Sequence, residues 1–429
     1  MSKPRYLMAA VGLFVLGIAL LSLPSIIRRL PGRYASRLPE PLLVLRHSDH
    51  PISLPTPIAT ETTSPAAGQT SPATPSPLPS PSAEPADTPT PEPPEATQPP
   101  TALPQPTSTL PPAVLLEGLR HERQGWNNCG PTTLAMALSY WGFDHSQVDI
   151  APIVKPDPED KHVGIHQMAD YATGLGLNAI IRSGGTLAGL KALLAAGYPV
   201  LIESWYVRDA QDQLGHYRLV VGYNDATQHF DLFDSLYDPP TTMAYQELYE
   251  LWRVFNWTYM VIAPPELYEE VAALIGPDMQ DAAMYERALA QAHDEAARQP
   301  ESCAAYADCS DWVTMSWFTI GSNLTALGRH AEAVEAYDLA RRLGLHYRML
   351  WYQFGPYESY YAVGRHDDVI ALASATLATA GNLEESYLWR GRSRLALGDT
   401  AGAESDFRAA LTYHEGWQPA LTALEELEQ

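Results

Sequence analysis

The stretch Gln124-Gly-Trp-Asn-Asn-Cys129-Gly-Pro131-Thr-Thr-Leu-Ala-Met-Ala-Leu-Ser-Tyr-Trp-Gly142 decides how the middle of this chain is interpreted. Pro131 is favoured in the first turn of a helix, because its fixed φ suits that turn and its missing N–H is not needed there. The apolar residues that follow predict a helix from Cys129 to about Gly142. The thiol would then sit at the helix N-terminus, where the dipole favours the thiolate that a nucleophile needs. A small buried cysteine that caps a core helix is the alternative interpretation.

Residues 114–265 are predicted to form one folded unit in which helices come first and strands follow. After the Cys129 helix, further helices are predicted over 165–175, 186–196 and 244–254. Strands are predicted over 178–182, 199–204, 216–223, 229–234 and 257–263. Helices followed by an antiparallel meander indicate an α+β fold.

Three polar residues supply the groups that a thiol nucleophile requires, namely a base, an acceptor that orients the base, and an oxyanion donor. His216 follows Gly215 and is predicted to open a strand, which places its imidazole at a sheet edge. Asp234 closes the next strand of the same hairpin, where it can accept the His216 N–H. Gln124 lies on the loop that enters the Cys129 helix, so its amide can point at the oxyanion that the Cys129 backbone N–H would bind.

The order of these signals resembles the C39-like cysteine peptidases of the papain-like superfamily. The matching residues are Gln124, then Cys129-Gly-Pro at a helix start, then Gly-His216-Tyr-x-x-Val-x-Gly-Tyr, and then a strand that ends in Asp234. The resemblance covers about residues 120–260. It implies a papain-like catalytic domain with Cys129 as nucleophile, His216 as general base and acid, Asp234 as orienting carboxylate and Gln124 as oxyanion donor. It also implies a peptide or protein substrate and no cofactor.

The sequence departs from the bacteriocin-processing members of that family, which carry Asp-Cys-Gly and belong to a transporter. This chain has Asn128 before Cys129 and no transporter or ATPase motif. Cleavage of a double-glycine leader is therefore not implied. Hydrolysis of peptide bonds, transglutaminase-like acyl transfer by the same triad, and binding by a papain-like unit that has lost activity all remain open.

The identity of the orienting acid is also open. The family's strand-closing acid is commonly followed by proline, whereas Ser235 follows Asp234 and the Asp-Pro pair is Asp238-Pro239. Asp238 is therefore the second candidate. Asp225, a turn residue, and Asp231, a mid-strand residue, rank lower.

Two other polar or aromatic groups have competing interpretations. His162 and His166 have the spacing that can chelate a metal on a helix, with Glu159 and Asp160 nearby, but surface histidines are the alternative and no metal is predicted. Three aromatic residues either line a substrate groove beside Cys129 or pack in the core: Trp126, Trp205 and Tyr206.

The N-terminus carries an apolar run from Leu7 to about Ile27. A run of this length can span a bilayer, so residues 1–30 are predicted to form a single transmembrane anchor. A cleavable signal peptide is the alternative. Arginines follow the run, and by themselves they would place the C-terminal side in the cytoplasm.

Residues 31–113 are predicted to be a disordered linker, because from residue 50 they consist mainly of Pro, Thr, Ser and Ala. Such a segment cannot bury a core and serves as an extended spacer. A stalk of this kind suits a folded body outside the cell, and a bridge between Cys303 and Cys309 would suit the same oxidising side. The expected location is therefore the cell membrane, with extracytoplasmic domains.

The charge balance limits the partners. The chain has 27 Lys+Arg and 50 Asp+Glu, a net charge of −23. This excess of acid argues against nucleic acid as a partner.

Residues 266–429 are predicted to form an all-α domain of helical repeats. Leu327-Gly-Arg-His, Val363-Gly-Arg-His and Leu397-Gly-Asp-Thr recur at steps of 36 and 34 residues, each followed by an amphipathic helix. This resembles tetratricopeptide repeats, whose unit is a helix-turn-helix of about 34 residues. The resemblance implies a surface that binds a protein or peptide partner, and a stabilising appendage is the alternative.

Overall fold

The computed structural model of the protein describes residues 53–58, 110–209, 212–239, 241–298 and 310–427. All of them fall within one compact unit. The predicted anchor over 1–30, most of the predicted linker, and the Cys303 and Cys309 pair lie outside the described residues. Among those that are described, no helix is both long enough and apolar enough to cross a membrane.

An antiparallel sheet lies at the centre of residues 110–265. Its strands, within the described part of the chain, are β1 (Ala113–Leu115), β2 (Asn178–Arg182), β3 (Val200–Asp209), β4 (Asp212–Asn224), β5 (His229–Phe233), β6 (Thr241–Ala244) and β7 (Tyr259–Ala263). Their order across the sheet is β2-β7-β3-β4-β5-β6, and β1 pairs with the end of β4. The long β3–β4 pair is therefore central, and the residues it carries lie between the layers on both faces.

Three helices cover one face of this sheet: α1 (Cys129–Tyr140), α2 (Gln147–Val154) and α3 (Ile165–Gly174). Leu134, Met136 and Leu138 of α1 are fully buried and belong to the same apolar cluster as Leu219 of β4. The Thr133 hydroxyl adds a bond of 3.2 Å to the carbonyl of Tyr217 in β4. This packing fixes the N-terminus of α1, and with it Cys129, over the central strands.

The sequence did not predict α2, which contains Pro152. The helix is held at its start by a capping box, in which the Ser146 side chain accepts from the first turn and Asp149 bonds back to the Ser146 backbone. The prediction that His216 opens a strand was wrong. β4 begins at Asp212, because Gly215 and its neighbours pair with the extension of β3.

The opposite face of the sheet is covered by helices from both halves of the chain. Two lie within residues 110–265, namely α4 (Leu187–Ala195) and α5 (Tyr245–Trp252). The described C-terminal half contains α6 (Tyr268–Ile275), α7 (Asp281–Ala297), α8 (Ser310–Ala326), α9 (His330–Arg342), α10 (Gly355–Ala362), α11 (His366–Thr379), α12 (Glu384–Ala396), α13 (Thr400–Tyr413) and α14 (Gln418–Leu427). The last three helices form a small apolar cluster of their own around Phe407. A single apolar core runs from Trp205 and Val220 in the sheet to Trp312 and Phe318 in α8. The helical region is thus built into the sheet domain.

The predicted helix-turn-helix pattern is present in the C-terminal half. The pairs α8–α9, α10–α11 and α12–α13 each turn at a glycine of left-handed φ: Gly328 at 70°, Gly364 at 77° and Gly398 at 87°. A residue without a Cβ adopts this conformation at no steric cost, which explains why the glycines recur at the turn.

Two further glycines set the spacing of the paired helices. A Cβ added to Gly321 in α8 would lie 2.5 Å from Cε1 of Tyr337 in α9, and one added to Gly391 in α12 would lie 2.5 Å from Cε1 of Phe407 in α13. The two positions are equivalent in the repeat, since each glycine faces the aromatic ring that follows it by 16 residues.

Replacing Gly321 or Gly391 by alanine is therefore expected to lower the free energy of unfolding by about 1–3 kcal/mol, the usual cost of overpacking. Unfolding midpoints in urea measure the change. Gly174→Ala in α3 is the matched control, because no atom lies within 4 Å of its added Cβ. Its stability should stay equal or rise slightly, since alanine favours a helix. Equal stability in all three variants would show that the close contacts are not tight.

Candidate active site

Two buried side chains, Lys155 and Gln147, form hydrogen bonds to the loop that leads into α1. Asn127 has a left-handed φ of 50°, a conformation that asparagine tolerates better than most residues. The Lys155 ammonium donates to the carbonyls of Trp126, Asn127 and Pro158 at 3.3, 3.2 and 3.1 Å. Lys155 is only 4% exposed, and burial lowers its pKa. These bonds fix the backbone two residues before Cys129.

Gln147 clamps the same loop from the start of α2. Its Oε1 accepts from the Gly125 N–H at 2.6 Å and from the Asn128 amide at 3.0 Å. Its Nε2 donates to the Arg123 carbonyl at 2.7 Å. Since Asn128 bonds to Gln147 in this way, its side chain makes no capping bond to α1. The first N–H groups of α1 therefore receive no acceptor from the Asn128 side chain.

Cys129, His216 and Asp234 form a connected chain of hydrogen bonds at this helix start. His216 Nε2 lies 2.8 Å from Asp234 Oδ1, with both side chains buried. The imidazole also interacts with the Cys129 thiol, by hydrogen bonding and by charge. Because Nε2 bonds to Asp234, Nδ1 is the ring nitrogen that remains for the thiol. Asp234 also accepts from the Leu236 N–H at 2.9 Å, which fixes the carboxylate just beyond β5.

Arg218 is a site residue that the sequence analysis missed. Its Nε donates to Asp234 Oδ2 at 3.0 Å, so the carboxylate is shared between His216 and a guanidinium that is itself 2% exposed. Arg218 also donates to the Ser204 hydroxyl and to the Trp205 carbonyl. Its position two residues after His216 on one strand was the available signal. Arg218 holds Asp234 in place, and its charge adds to that of His216 in lowering the pKa of the carboxyl.

The electrostatics favour a thiolate and an imidazolium. Burial by itself raises the pKa of the Cys129 thiol, but its hydrogen bond to His216 and the charge of His216 lower the pKa, and backbone N–H groups of Tyr217 and Gly130 add to this. The net result is a lowered thiol pKa. Burial lowers the pKa of His216, yet the charge and hydrogen bond of Asp234 raise it above its ordinary value. The pKa of Asp234 is lowered by His216 and Arg218 against the opposing effect of burial.

Gln124 is brought to the same place. Its backbone N–H donates to the Ser235 carbonyl at 3.0 Å, and its side-chain Oε1 accepts from the Ser235 hydroxyl at 2.7 Å. With Oε1 bound to Ser235, the Nε2 end of the amide is left to donate elsewhere. Gln124 is thereby fixed beside Asp234, on the loop that enters the Cys129 helix.

A small pocket opens beside the thiol. It is lined by Asn127, Cys129, Lys161, His162, Val163, Glu203, Gly215, Tyr217 and Tyr352. Tyr352 comes from the helical region, just after a 3-10 turn over Tyr347–Trp351. A Cβ added at Gly215 would meet its ring at 3.0 Å, so Gly215 is the residue that lets the helical region close over the pocket. One wall of the pocket thus comes from outside the α+β domain.

Glu203 is a buried carboxyl in this pocket, 8% exposed. Burial raises its pKa to about 8, and the nearby charge of Cys129 adds to the shift. A hydrogen bond joins it to the Tyr217 hydroxyl. This bond lowers the pKa of Glu203 but does not outweigh the effect of burial. The Tyr217 hydroxyl also donates to the Val163 carbonyl at 2.9 Å. The pocket therefore holds a neutral carboxylic acid next to the thiol at pH 7.

Replacing Glu203 by glutamine is expected to change how stability depends on pH. The carboxyl holds its proton in the folded protein up to about pH 8 but loses it near pH 4.5 when unfolded, so the folded state of the wild type loses stability as pH rises between these values. Glutamine mimics the protonated acid and has no such loss. The variant should match the wild type near pH 4.5 and exceed it by a few kcal/mol at pH 8.5.

Urea unfolding at several pH values measures this difference. Glu247→Gln, on the first turn of α5 and away from the pocket, is the matched control and should follow the wild-type profile. Parallel profiles for Glu203→Gln and the wild type would contradict the buried neutral acid.

The other acids proposed from sequence lie elsewhere. Asp238, the second candidate for the orienting role, is 88% exposed in its side chain and lies 3.5 Å from Arg123. Asp225 pairs with Lys191 and Tyr245. Asp231 lies in β5 opposite Gly222. The structure places Asp234, and none of these three, against His216.

The two histidines with metal-ligand spacing are separated in environment. His162 lines the pocket and packs edge-on against Tyr352 and Phe354, and burial lowers its pKa to about 4. His162 is therefore not a solvent-exposed surface histidine. His166 is exposed on α3. Within the described ranges no group of three or more His, Cys, Asp and Glu residues could hold a metal ion.

The three aromatic residues pack around the site without lining the pocket. Trp126 is half-buried and bonds to Glu159 at 3.3 Å. Trp205 is fully buried in the core. Tyr206 lies 5.8 Å from the His216 ring, centroid to centroid. The pocket's aromatic walls are instead Tyr217 and Tyr352.

Comparison with known proteins identifies the class of the α+β part. Residues 113–260 match the family described as "Peptidase_C39 like family". This part of the chain is therefore similar to the C39-like cysteine peptidases, in agreement with the resemblance of the sequence motifs. The match covers about a third of the chain and does not include the helical region, whose resemblance to tetratricopeptide repeats stays a prediction.

Two solved structures are similar to this domain. The peptidase domain of Streptococcus ComA, a bi-functional ABC transporter involved in a quorum sensing pathway, is 17% identical over 34% of this chain and 99% of that chain, with a TM-score of 0.27. Xylellain, a cysteine protease from Xylella fastidiosa, is 17% identical over 36% of this chain and 87% of that chain, with a TM-score of 0.29. No curated protein matches the chain.

Proposed function

We propose that the protein is a membrane-anchored cysteine peptidase that hydrolyses peptide bonds with Cys129, His216, Asp234 and Gln124. The observation that carries this proposal is the hydrogen-bonded chain from the Cys129 thiol through His216 to Asp234 at the start of a buried helix. A lone buried cysteine would not need a histidine that a carboxylate holds in one orientation.

The reaction follows from these groups. The Cys129 thiolate attacks the carbonyl carbon of the scissile bond, and the Cys129 N–H and the Gln124 amide receive the oxyanion. Protonated His216 gives its Nδ1 proton to the leaving amine, so the C–N bond breaks and a thioester remains. His216 then takes a proton from water, whose oxygen attacks the thioester and releases the acid. Asp234 stays ionised and holds the imidazole throughout.

Incubation of the full-length protein with a mixture of synthetic peptides, followed by mass spectrometry, tests this function. Hydrolysis produces paired fragments whose summed mass exceeds that of the parent by one water. Transglutaminase-like acyl transfer, when an amine is added, leaves the peptide uncut: the amine replaces the ammonia of a glutamine side chain, so the parent mass rises by the mass of the amine less that of ammonia. Products of neither kind, from a protein whose Cys129 is reduced, would favour a binding protein without activity.

Replacing Gln124 by alanine is expected to lower kcat on a cleaved peptide by about 10²-fold, because the transition state loses one oxyanion donor. Alkylation of Cys129 by iodoacetamide forms no oxyanion, so its rate should stay as in the wild type. Ser235→Ala is the control with an intermediate effect on kcat, since it keeps the Gln124 amide and removes only the hydroxyl that holds it. An equal fall in both kcat and alkylation rate for Gln124→Ala would indicate a structural role instead.

The setting of this peptidase is part of the proposal. The apolar run over 7–27 and the Pro/Thr/Ser-rich linker support a body held at the outer side of a cell membrane, with the helical region available to a protein or peptide partner. Protease added to intact cells should cut the linker if the body lies outside. Protection of the linker until the cells are opened would place the body inside.

A further inference from the structure

Residues 53–58, the one described piece of the Pro-rich linker before residue 110, lie in a groove of the helical region. Leu54 packs there against the main core. The groove is formed by α9, the 3-10 turn, α10 and α11, and its apolar wall consists of Tyr337, Leu345, Leu350, Pro356 and Leu372. The Leu54 side chain therefore borders an apolar pocket together with side chains of this region.

The backbone of the segment is held by a buried guanidinium. Arg341 Nε and Nη2 both donate to the Pro55 carbonyl, at 3.1 and 2.7 Å. The Arg341 side chain is 1% exposed, and its Nη1 pairs with Asp368 at 2.8 Å. Donors at such depth are costly to leave without an acceptor. The position is therefore suited to a carbonyl oxygen of an extended chain.

The end of the segment is held by the same charge network. Asp368 Oδ1 accepts from the Ile58 N–H at 3.2 Å, and Arg365 Nη2 lies 3.5 Å from the Ile58 carbonyl. Arg365 is fixed in turn by Asp338 and Asp368. These contacts involve backbone atoms only, so they require an N–H at this position but no particular side chain. Proline alone is excluded there.

The groove thus contacts some positions of the segment and leaves others exposed. It contacts the side chain of Leu54, the backbone carbonyl of Pro55 and the backbone N–H of Ile58. Thr56, by contrast, is exposed and makes no described hydrogen bond. Prolines at 55 and 57 favour the extended conformation in which the carbonyls are presented, at a small entropic cost. The pattern that fits is Leu-Pro-x-Pro followed by any residue except proline.

This pattern occurs four times in the N-terminal part of the chain: Leu38-Pro-Glu-Pro41, Leu54-Pro-Thr-Pro57, Leu78-Pro-Ser-Pro81 and Leu103-Pro-Gln-Pro106. The residue at x differs in every copy, as expected for a position that points to solvent. The residue after the motif is Leu42, Ile58, Ser82 or Thr107, so each copy keeps the N–H that Asp368 receives.

We propose that the groove is a binding site for Leu-Pro-x-Pro peptides and that the four copies in the chain's own linker compete for it. The bound copy attaches the linker to the folded body, and its position fixes how many linker residues precede and follow the attachment point. Exchange between copies would change the length of the linker segment that precedes this point, without any change in the folded body. This inference does not depend on catalysis at Cys129.

Binding of a fluorescein-labelled peptide of residues 52–60 to the full-length protein, measured by anisotropy, tests the proposal. In the wild type the tethered copies compete at an effective concentration of about millimolar, so the labelled peptide should bind weakly. A variant with Leu38, Leu54, Leu78 and Leu103 all replaced by aspartate frees the groove, and its apparent Kd should be at least about 10-fold lower. The single variant Leu54→Asp should fall between the two, because other copies take its place.

A labelled peptide with Leu54→Asp is the matched control and should not bind. The fourfold variant changes only the linker, and its melting curve shows whether the body stays folded. Failure of a folded fourfold variant to bind the peptide would overturn the site. Equal binding to the wild type and the fourfold variant would overturn occupation by the linker. Equal binding to the single and fourfold variants would overturn competition among the copies.

Discussion

Replacing Cys129 by alanine is expected to lower kcat/KM for peptide hydrolysis by at least about 10⁴-fold, the usual loss when the nucleophile of a triad is removed. The reason is chemical: alanine cannot form the thioester, and the remaining groups can only polarise the carbonyl. The fold should be retained, because Cys129 lies at the edge of the apolar cluster and is not fully buried. The measurement is initial rates on a peptide that the wild type cleaves.

The double variant Cys303→Ala/Cys309→Ala is the matched control for loss of thiols, and it should keep the wild-type rate. Hydrolysis by Cys129→Ala at the wild-type rate would refute the assignment of the nucleophile. Binding of peptides to both variants without any turnover would instead support a non-catalytic papain-like unit.

Replacing His216 by alanine is expected to slow alkylation of Cys129 at pH 6 by about 100-fold. An ordinary cysteine has a pKa near 8.5 and is about 0.3% ionised at that pH, whereas the hydrogen bond and charge of His216 lower the pKa of Cys129 and favour its thiolate. As pH rises above 8.5 the difference between variant and wild type should shrink, because the thiol then ionises without help.

Peptide mapping of the alkylated protein separates Cys129 from Cys303 and Cys309. His166→Ala is the matched histidine control, because His166 is exposed and should leave the labelling profile unchanged. The same slow labelling near neutral pH in wild type and His216→Ala would show that no ion pair forms. This assay needs no knowledge of the substrate.

Several features of the site were accessible from sequence because they depend on local rules. The helix at Cys129 follows from Pro131 and the apolar run after it, and the hairpin follows from the turn at 224–227. These two elements suffice to propose His216 and Asp234 as partners. The strand boundary at His216 was missed, because β4 gains its first residues only by pairing with β3.

The residues that complete the site could not be identified in this way. In the sequence Arg218 is an ordinary strand residue, and only the structure shows that its guanidinium donates to Asp234. Glu203 reads as a solvent-facing acid, yet the pairing of β3 with β4 sets it opposite Tyr217 inside the pocket. Tyr352 follows Gly215 by more than a hundred residues, and no periodic pattern links the two.

The sequence by itself determined the local elements: a helix that begins at a cysteine, strands, and helical pairs that turn at glycines every 36 and 34 residues. Each of these depends on residues a few positions apart. The tertiary structure alone decided that Asp234 and not Asp238 meets His216, that the helical region supplies a wall of the pocket, and that Leu54–Ile58 fills a groove between its helices. These contacts join distant parts of the chain, and they depend on how whole layers pack, which local periodicity does not encode.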